Sequence, residues 1–469
     1  MENNIQVTRA IYQETGINRY ARNPFIEALP KLVERKLEYL NMVSNRPPPP
    51  NNELRKRGEV VRLMEMAAMS DIVYSFPAYG EAGLSLDRIL RESYVSRNPI
   101  TALDKQRRQA IASSASSEKA NLPPSWKSAA LGHMIVAHSG MGKTTFINAS
   151  LARYPQVLEH DGYDGQHLRC YQIVFVKLAV PFDGTLKSLC HQFFEEIDSI
   201  LGTAYTRQAK NLRSIALMVN LMQQVATSCS IGLIVVDELQ NLRAAAGAGA
   251  EIVLSMFSQI IELLGISLVV IGTPAVESVI SGSVRNARKL ASGGSTILKS
   301  MARNSIEWDN FAHCYWEYCY VQQRTQLTPA VKTAWFNSCG GNTALAALSF
   351  MLAQKNEIGG REVIDEIAFA RASAKDLGFL QPAIRALVSG DESQLLKFDD
   401  LIFTKQFKEL QTSLGMIAPV APAKPSATTT DDFEELEAVS KRTSQNNNRK
   451  PNDSLSQQID LPTEDPFVR

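Results

Sequence analysis

The sequence predicts an α/β protein: a parallel β-sheet with helices on both faces, a helical extension before it and a helical lid after it. Three observations predict this. Residues 131–148 read as a short apolar strand (Met134, Ile135, Val136), a glycine-containing loop and an apolar-periodic helix. Ile231–Val236 is a second apolar run, and it ends in the acid pair Asp237-Glu238. Further apolar runs at Cys170–Leu178 and Ile266–Ile271 alternate with helical periodicity, which is the pattern of strands buried on both faces.

Composition sets outer bounds. A chain of 469 residues holds two to three domains, and 45% hydrophobic with 21% charged residues is ordinary for a folded protein. The net charge of +1 supplies no global basic field, so any nucleic-acid contact must come from a local patch. The six cysteines form no CxxC pair and sit in apolar segments, so reduced, buried thiols are expected rather than a zinc site or disulfides. No apolar run approaches a membrane span and the N-terminus has no signal pattern. A soluble, cytoplasmic protein without membrane contact is the expectation.

In chain order, Phe25, Ile26, Leu29, Leu32, Val33, Leu37 and Leu40 recur at helical steps. Pro47–Pro50 interrupts them as a stiff spacer. A second helix is expected from Glu53 to about Met69, with Arg55, Lys56 and Arg57 solvated and Val60, Val61, Leu63 and Met64 on its apolar face. Another runs from Leu84 to Ser93 and ends at Tyr94-Val95-Ser96-Arg97-Asn98-Pro99. Helices are expected after the loop to about Arg153, from Lys187 to Leu201, at Leu212–Ala226 and at 249–264. Residues 308–410 carry helical stripes, rich in aromatics at Phe311–Tyr320 and interrupted by Gly340-Gly341-Asn342. From 418 the chain is polar, with Asp431–Leu436 and Asp465–Val468 as its acidic-apolar clusters, and too poor in apolar surface to offset its ordering entropy. The domains expected are thus an extension over 1–100, a nucleotide-binding core over 101–310, a lid over 311–410 and a disordered tail over 411–469.

The chemistry begins at Ala137-His138-Ser139-Gly140-Met141-Gly142-Lys143-Thr144. This is a phosphate-binding loop in strand–loop–helix context, with Ala137 where a first glycine is usual. Ser139, Gly140, Met141, Gly142, Lys143, Thr144 and Thr145 would contact ATP: backbone N–H groups cradle the phosphates and Lys143 reaches the β and γ oxygens. Thr144 and Asp237 would hold Mg2+, and Glu238 would act as general base toward the attacking water. Thr273, at the tip of the next strand, suits a polar sensor of the γ-phosphate. Arg288, preferred over Arg285, could reach a neighbouring subunit's nucleotide as an arginine finger. Gly340-Gly341-Asn342-Thr343 opens the lid helix without an arginine.

These stretches carry a resemblance. Tyr94–Pro99, the phosphate loop, Leu233–Leu242, Ile271-Gly272-Thr273-Pro274 and the aromatic segment with Gly340-Gly341-Asn342 resemble the TnsC/TniB family, AAA+ ATPase regulators encoded by transposons. The likeness covers about residues 75–395. It implies a P-loop AAA+ core of the additional-strand division, ATP-dependent binding to double-stranded DNA without sequence preference, and a homo-oligomeric ring or helical filament. It also implies contacts with transposase subunits and a target-selection factor, with hydrolysis controlling assembly. Lys187, Lys210 and Arg213 lie where this clade carries pore-lining elements, and are the candidate phosphate contacts. The rival readings are a nucleotide-switch signalling ATPase, for which no internal repeat is found, and a replication-initiator loader, for which no C-terminal basic recognition helix is found.

Overall fold

The structure, a computed structural model, describes residues 7–114, 120–245, 248–280, 283–389 and 398. Met1–Ile417 form one compact unit. The second unit, Ala418–Arg469, lies outside the described residues, and with it the polar tail and its two acidic-apolar clusters.

Eight strands are described: β1 (Val7–Arg9), β2 (Gly132–Ala137), β3 (Val157–His160), β4 (Cys170–Ile173), β5 (Phe175–Ala179), β6 (Leu233–Asp237), β7 (Ser267–Gly272) and β8 (Ser295–Leu298). Five form the main sheet in the order β5-β6-β7-β2-β8, all parallel. β7 therefore stands between the phosphate-loop strand β2 and the acidic strand β6, whereas the run 170–178, which intervenes between them in the sequence, supplies the edge strand β5. Registers of Ile135 with Ile271 and Val235 with Val269 bring the ends of these strands level.

Alternation along each strand feeds two cores. Ile135, Ala137, Leu233, Val235, Val269 and Ile271 face one cluster, which also holds Phe146, Tyr79, Leu86, Ile89 and the aromatic segment of the C-terminal helices. Ile234, Val236, Leu268 and Val270 face the other, built from helices Leu186–Leu201, Ile215–Ser228 and Gly249–Gln259. Helix Pro77–Val95 lies against β2, β7 and β8, and the Ser267 hydroxyl donates to its Ile89 carbonyl at 2.6 Å. An element placed in the N-terminal extension by sequence is one cover of the sheet. In the C-terminal helices, Trp335 is fully buried and stacks on Phe350 and Phe369, with Trp308 edge-on.

Several local expectations are corrected. The run Cys170–Leu178 is two strands in two sheets. β4 pairs antiparallel with β3 and β5 parallel with β6, and the chain changes sheet at Val174, whose N–H donates to the Gln156 carbonyl. β8 and the small sheet β1-β3-β4 carry only three or four residues per strand, too few for an alternation signal. The stripe at 25–40 is not one helix. Pro24–Glu27 is a single turn, Pro30 follows with no N–H to give, and helix resumes at Lys36–Val43 with Leu37 exposed. The helix expected at 53–69 breaks into Asn52–Arg55, Glu59–Glu65 and a 3-10 turn at Met66–Asp71. Lys56 and Arg57 are exposed and Leu63 packs on the core as expected, but four residues are reversed. Val60, Val61 and Met64 are exposed, while Arg55 is buried with its Nε donating to the Cys319 carbonyl at 2.9 Å.

Candidate nucleotide site

β2 delivers the chain into the loop 138–142, and helix Lys143–Leu151 leaves it. Gly140 and Gly142 both have φ of +82°, the left-handed backbone that glycine adopts without strain. At Gly140 space is also limiting: a Cβ would lie 2.7 Å from Asn342 Oδ1. Ala137, where a glycine is usual, is the buried last residue of β2, and its carbonyl accepts from Lys143 Nζ at 2.7 Å. His138 O accepts from the same ammonium at 3.0 Å. The lysine thus lies folded over the loop that it would serve.

Two side chains from distant elements bind its carbonyls. Asn342 Nδ2 donates to Ser139 O at 2.7 Å, and Tyr79 Oη donates to Met141 O at 2.9 Å. The Tyr79 ring stacks on Phe146 at 4.2 Å between centroids. Backbone adds Ala344 N–H to Gly140 O at 3.0 Å. These bonds hold the loop by its carbonyls; of its N–H groups, that of Met141 donates to His138 O at 3.2 Å, and a phosphate cradle would draw on the others. Sequence reasoning gave Tyr79 and Asn342 no role. Both stand in stretches it had marked, Phe76-Pro77-Ala78-Tyr79 and Gly340-Gly341-Asn342, but a contact across 62 or 203 positions leaves no local signal.

The acid pair is placed by β6. Asp237 closes the strand, and its carboxylate accepts from Thr144 Oγ1 at 2.8 Å, across the end of β7. Its other oxygen accepts from the Glu238 N–H at 2.8 Å. Glu238 has φ 58° and ψ 37°, a left-handed conformation that costs a non-glycine residue about 1–3 kcal/mol and turns its exposed side chain off the strand axis. Thr273 is 4% exposed, and its Oγ1 is buried without a hydrogen-bond partner. Its N–H donates to Gln240 Oε1 at 3.3 Å. Gln240 Nε2 donates in turn to Glu238 Oε2.

Lys143, Thr144, Asp237, Glu238 and Thr273 are thereby gathered at one end of the sheet, and the exposed Thr144 and Thr145 open the first helical turn to solvent. Arg288 stands apart. It is exposed on helix Val284–Leu290 and, among the described residues, makes no hydrogen bond or ion pair with the loop or the acid pair, whereas Arg285 reaches Glu262 at 3.4 Å. Lys187, Lys210 and Arg213 are exposed on separate elements: the first turn of Leu186–Leu201, the end of Tyr205–Lys210 and the link to Ile215–Ser228. No group of acidic, histidine or cysteine side chains arranged to hold a metal by itself occurs among the described residues, and no described helix is long and apolar enough to cross a membrane.

Residues 128–280 match the family described as an AAA domain. No curated protein matches the chain. Among solved structures it is similar to a Walker-type ATPase of Pyrococcus abyssi, paby2304, at 12% identity over 61% of this chain and 84% of that one, with a TM-score of 0.35. It is similar to the ORC2 protein of Aeropyrum pernix at 12% identity, 66% and 88% coverage and a TM-score of 0.33. It is likewise similar to the Holliday junction branch migration motor RuvB of Thermotoga maritima, at 12% identity, 61% and 74% coverage and a TM-score of 0.30.

The strand order, the loop and the AAA match over residues 128–280 define a P-loop ATPase core of the AAA+ fold, whose nucleotide and metal are ATP and Mg2+. The residues fit that pair. The Thr144 hydroxyl already engages Asp237, and the orphaned Thr273 hydroxyl is a polar group awaiting a partner. Thr144 and Asp237 would hold Mg2+, which when bound offsets charge on the phosphate oxygens. Lys143 can exchange its two carbonyls for phosphate oxygens, and Glu238 can orient water and take its proton.

Proposed function

We propose that this chain is an ATP-dependent, DNA-binding regulator of transposition of the TnsC/TniB type. In this reading it oligomerises on target DNA and links a target-selection factor to the transposase. One observation supports it above the others: the separate stretches that carry the resemblance are physically one unit. Tyr94 Oη donates to Ser230 O at 3.1 Å and Arg97 Nη1 to Ile231 O at 2.7 Å, anchoring the start of β6. The far end of β6 is the acid pair, and Gln240 joins it to Thr273.

In this reading Glu238 is the general base, Thr273 the γ-phosphate sensor and Arg288 the finger offered to the next subunit's nucleotide. Lys187, Lys210 and Arg213 contribute sequence-independent phosphate contacts. The segments follow the bounds 1–100, 101–310, 311–410 and 411–469, with the ends docking the two partners. The test is electrophoretic mobility and negative-stain imaging with duplex DNA, under ADP, ATP or a non-hydrolysable analogue, beside Lys143→Ala. Assemblies on DNA that need ATP and are absent in the variant support the reading. ATP binding with no DNA association in any nucleotide state overturns it and favours a signalling switch.

A further inference from the structure

We propose that Gln240 is a positioning residue for hydrolysis, fixing the Glu238 carboxylate against the tip of β7. The inference rests on the ATPase reading of this site and on no DNA role. Gln240 lies in the 3-10 helix Leu239–Ala244, two residues beyond Glu238, and is half-buried. One end of its carboxamide gives a hydrogen bond to Glu238 Oε2, and the other accepts from the Thr273 N–H at 3.3 Å. Only an amide of this length serves both ends. A carboxylate has no hydrogen to give Glu238, and a hydroxyl is too short to span the pair. The flipped amide would set its carbonyl against the carboxylate and its NH2 against an N–H.

The surroundings are shaped for this bridge. Gly272, the last residue of β7, leaves room for it: a Cβ there would stand 3.2 Å from Gln240 Oε1 and 2.3 Å from Val276. The left-handed backbone of Glu238, followed at once by a 3-10 turn, brings residue 240 back alongside residue 238. An exposed glutamate without a tether samples several rotamers, and a base must be held within hydrogen-bond reach of its water. The hydrogen bond from Gln240 Nε2 to Oε2 supplies that tether. The same bridge sets the position of Thr273, whose buried hydroxyl has no partner. Both residues are thus set by one side chain.

The test compares phosphate release and fluorescent-nucleotide binding by the full-length protein with those of Gln240→Ala, Gln240→Glu and the non-binding control Lys143→Ala. Gln240→Ala is expected to lower kcat about tenfold, with nucleotide affinity within twofold of wild type. Gln240→Glu keeps the acceptor for Thr273 but loses the donor to Glu238, so its kcat is expected to fall at least as far. Thermal melts of both variants are expected to match wild type. Wild-type turnover in either variant, or a loss confined to nucleotide affinity, overturns the proposal. Full activity in Gln240→Glu alone would reduce Gln240 to a prop for Thr273. Wild type that releases no more phosphate than Lys143→Ala would remove the ATPase reading itself, and the proposal with it.

Discussion

Asn342 donates from Nδ2 to the Ser139 carbonyl at 2.7 Å, so the residue that caps helix Thr343–Glu357 is also a support of the phosphate loop. The same side chain caps its helix, with Oδ1 accepting from the Leu345 N–H at 3.2 Å. Helix and loop therefore share one carboxamide.

This double duty separates into two variants. Asn342→Asp keeps the cap but loses the donor to Ser139, so nucleotide affinity should fall by about tenfold, near 1.4 kcal/mol, with little change in melting temperature. Asn342→Ala loses both and should cost about a further 1 kcal/mol of stability. Nucleotide titration and thermal denaturation check the pair. Equal affinity in wild type and Asn342→Asp would remove the loop from the role of Asn342.

The two loop glycines should differ. Gly140→Ala meets both a left-handed φ and Asn342 Oδ1 at 2.7 Å, whereas Gly142→Ala meets the same φ with open space around it. The backbone cost alone is about 1–2 kcal/mol, so Gly140→Ala should melt lower than Gly142→Ala. The reverse order would contradict the contact between Asn342 and the loop.

Arg62 and Glu362 join helix Glu59–Glu65 to the C-terminal helical region through two hydrogen bonds of 2.6 and 2.7 Å, with Arg62 only 2% exposed. The Arg62 hydrogen bonds hold the Glu362 carboxyl down at about 2, helped by the Gly359 and Gln322 N–H groups and opposed by burial. A carboxyl lowered by folding stabilises the native state above its unfolded value of about 4.3, and this contribution is lost as pH falls toward 2. Wild type should therefore lose stability over that window more steeply than Glu362→Gln, as read by denaturant melts from pH 6 to 2. Arg62→Ala at neutral pH should cost about 1–3 kcal/mol, because it leaves the part-buried Glu362 carboxylate with only the Gly359 and Gln322 N–H groups.

Much of this architecture is written locally, and the remainder is not. The loop, the acid pair and the strands β2, β6 and β7 announce themselves because each is a contiguous apolar run beside its functional residues. What escapes are pairings between distant positions. Arg55 reads as a surface cation and Arg62 carries no signal, yet their partners, Cys319 and Glu362, lie in the C-terminal region. The apolar residues beside them, Val60, Val61 and Met64, read as core and face solvent for the same reason: the buried arginines take the inward face. At the site, Gln240 adjoins the acid pair, but its second contact, the Thr273 N–H, becomes visible only when β7 is laid beside β6.

The most direct measurement is ATP binding and turnover in wild type, Lys143→Ala and Glu238→Gln, assayed together with Mg2+. The expected result is that Lys143→Ala loses nucleotide affinity, while Glu238→Gln binds ATP as wild type does and loses turnover by about 10²-fold or more. Undiminished hydrolysis in Glu238→Gln, or unaltered ATP binding in Lys143→Ala, would contradict the site described at the ends of β2 and β6.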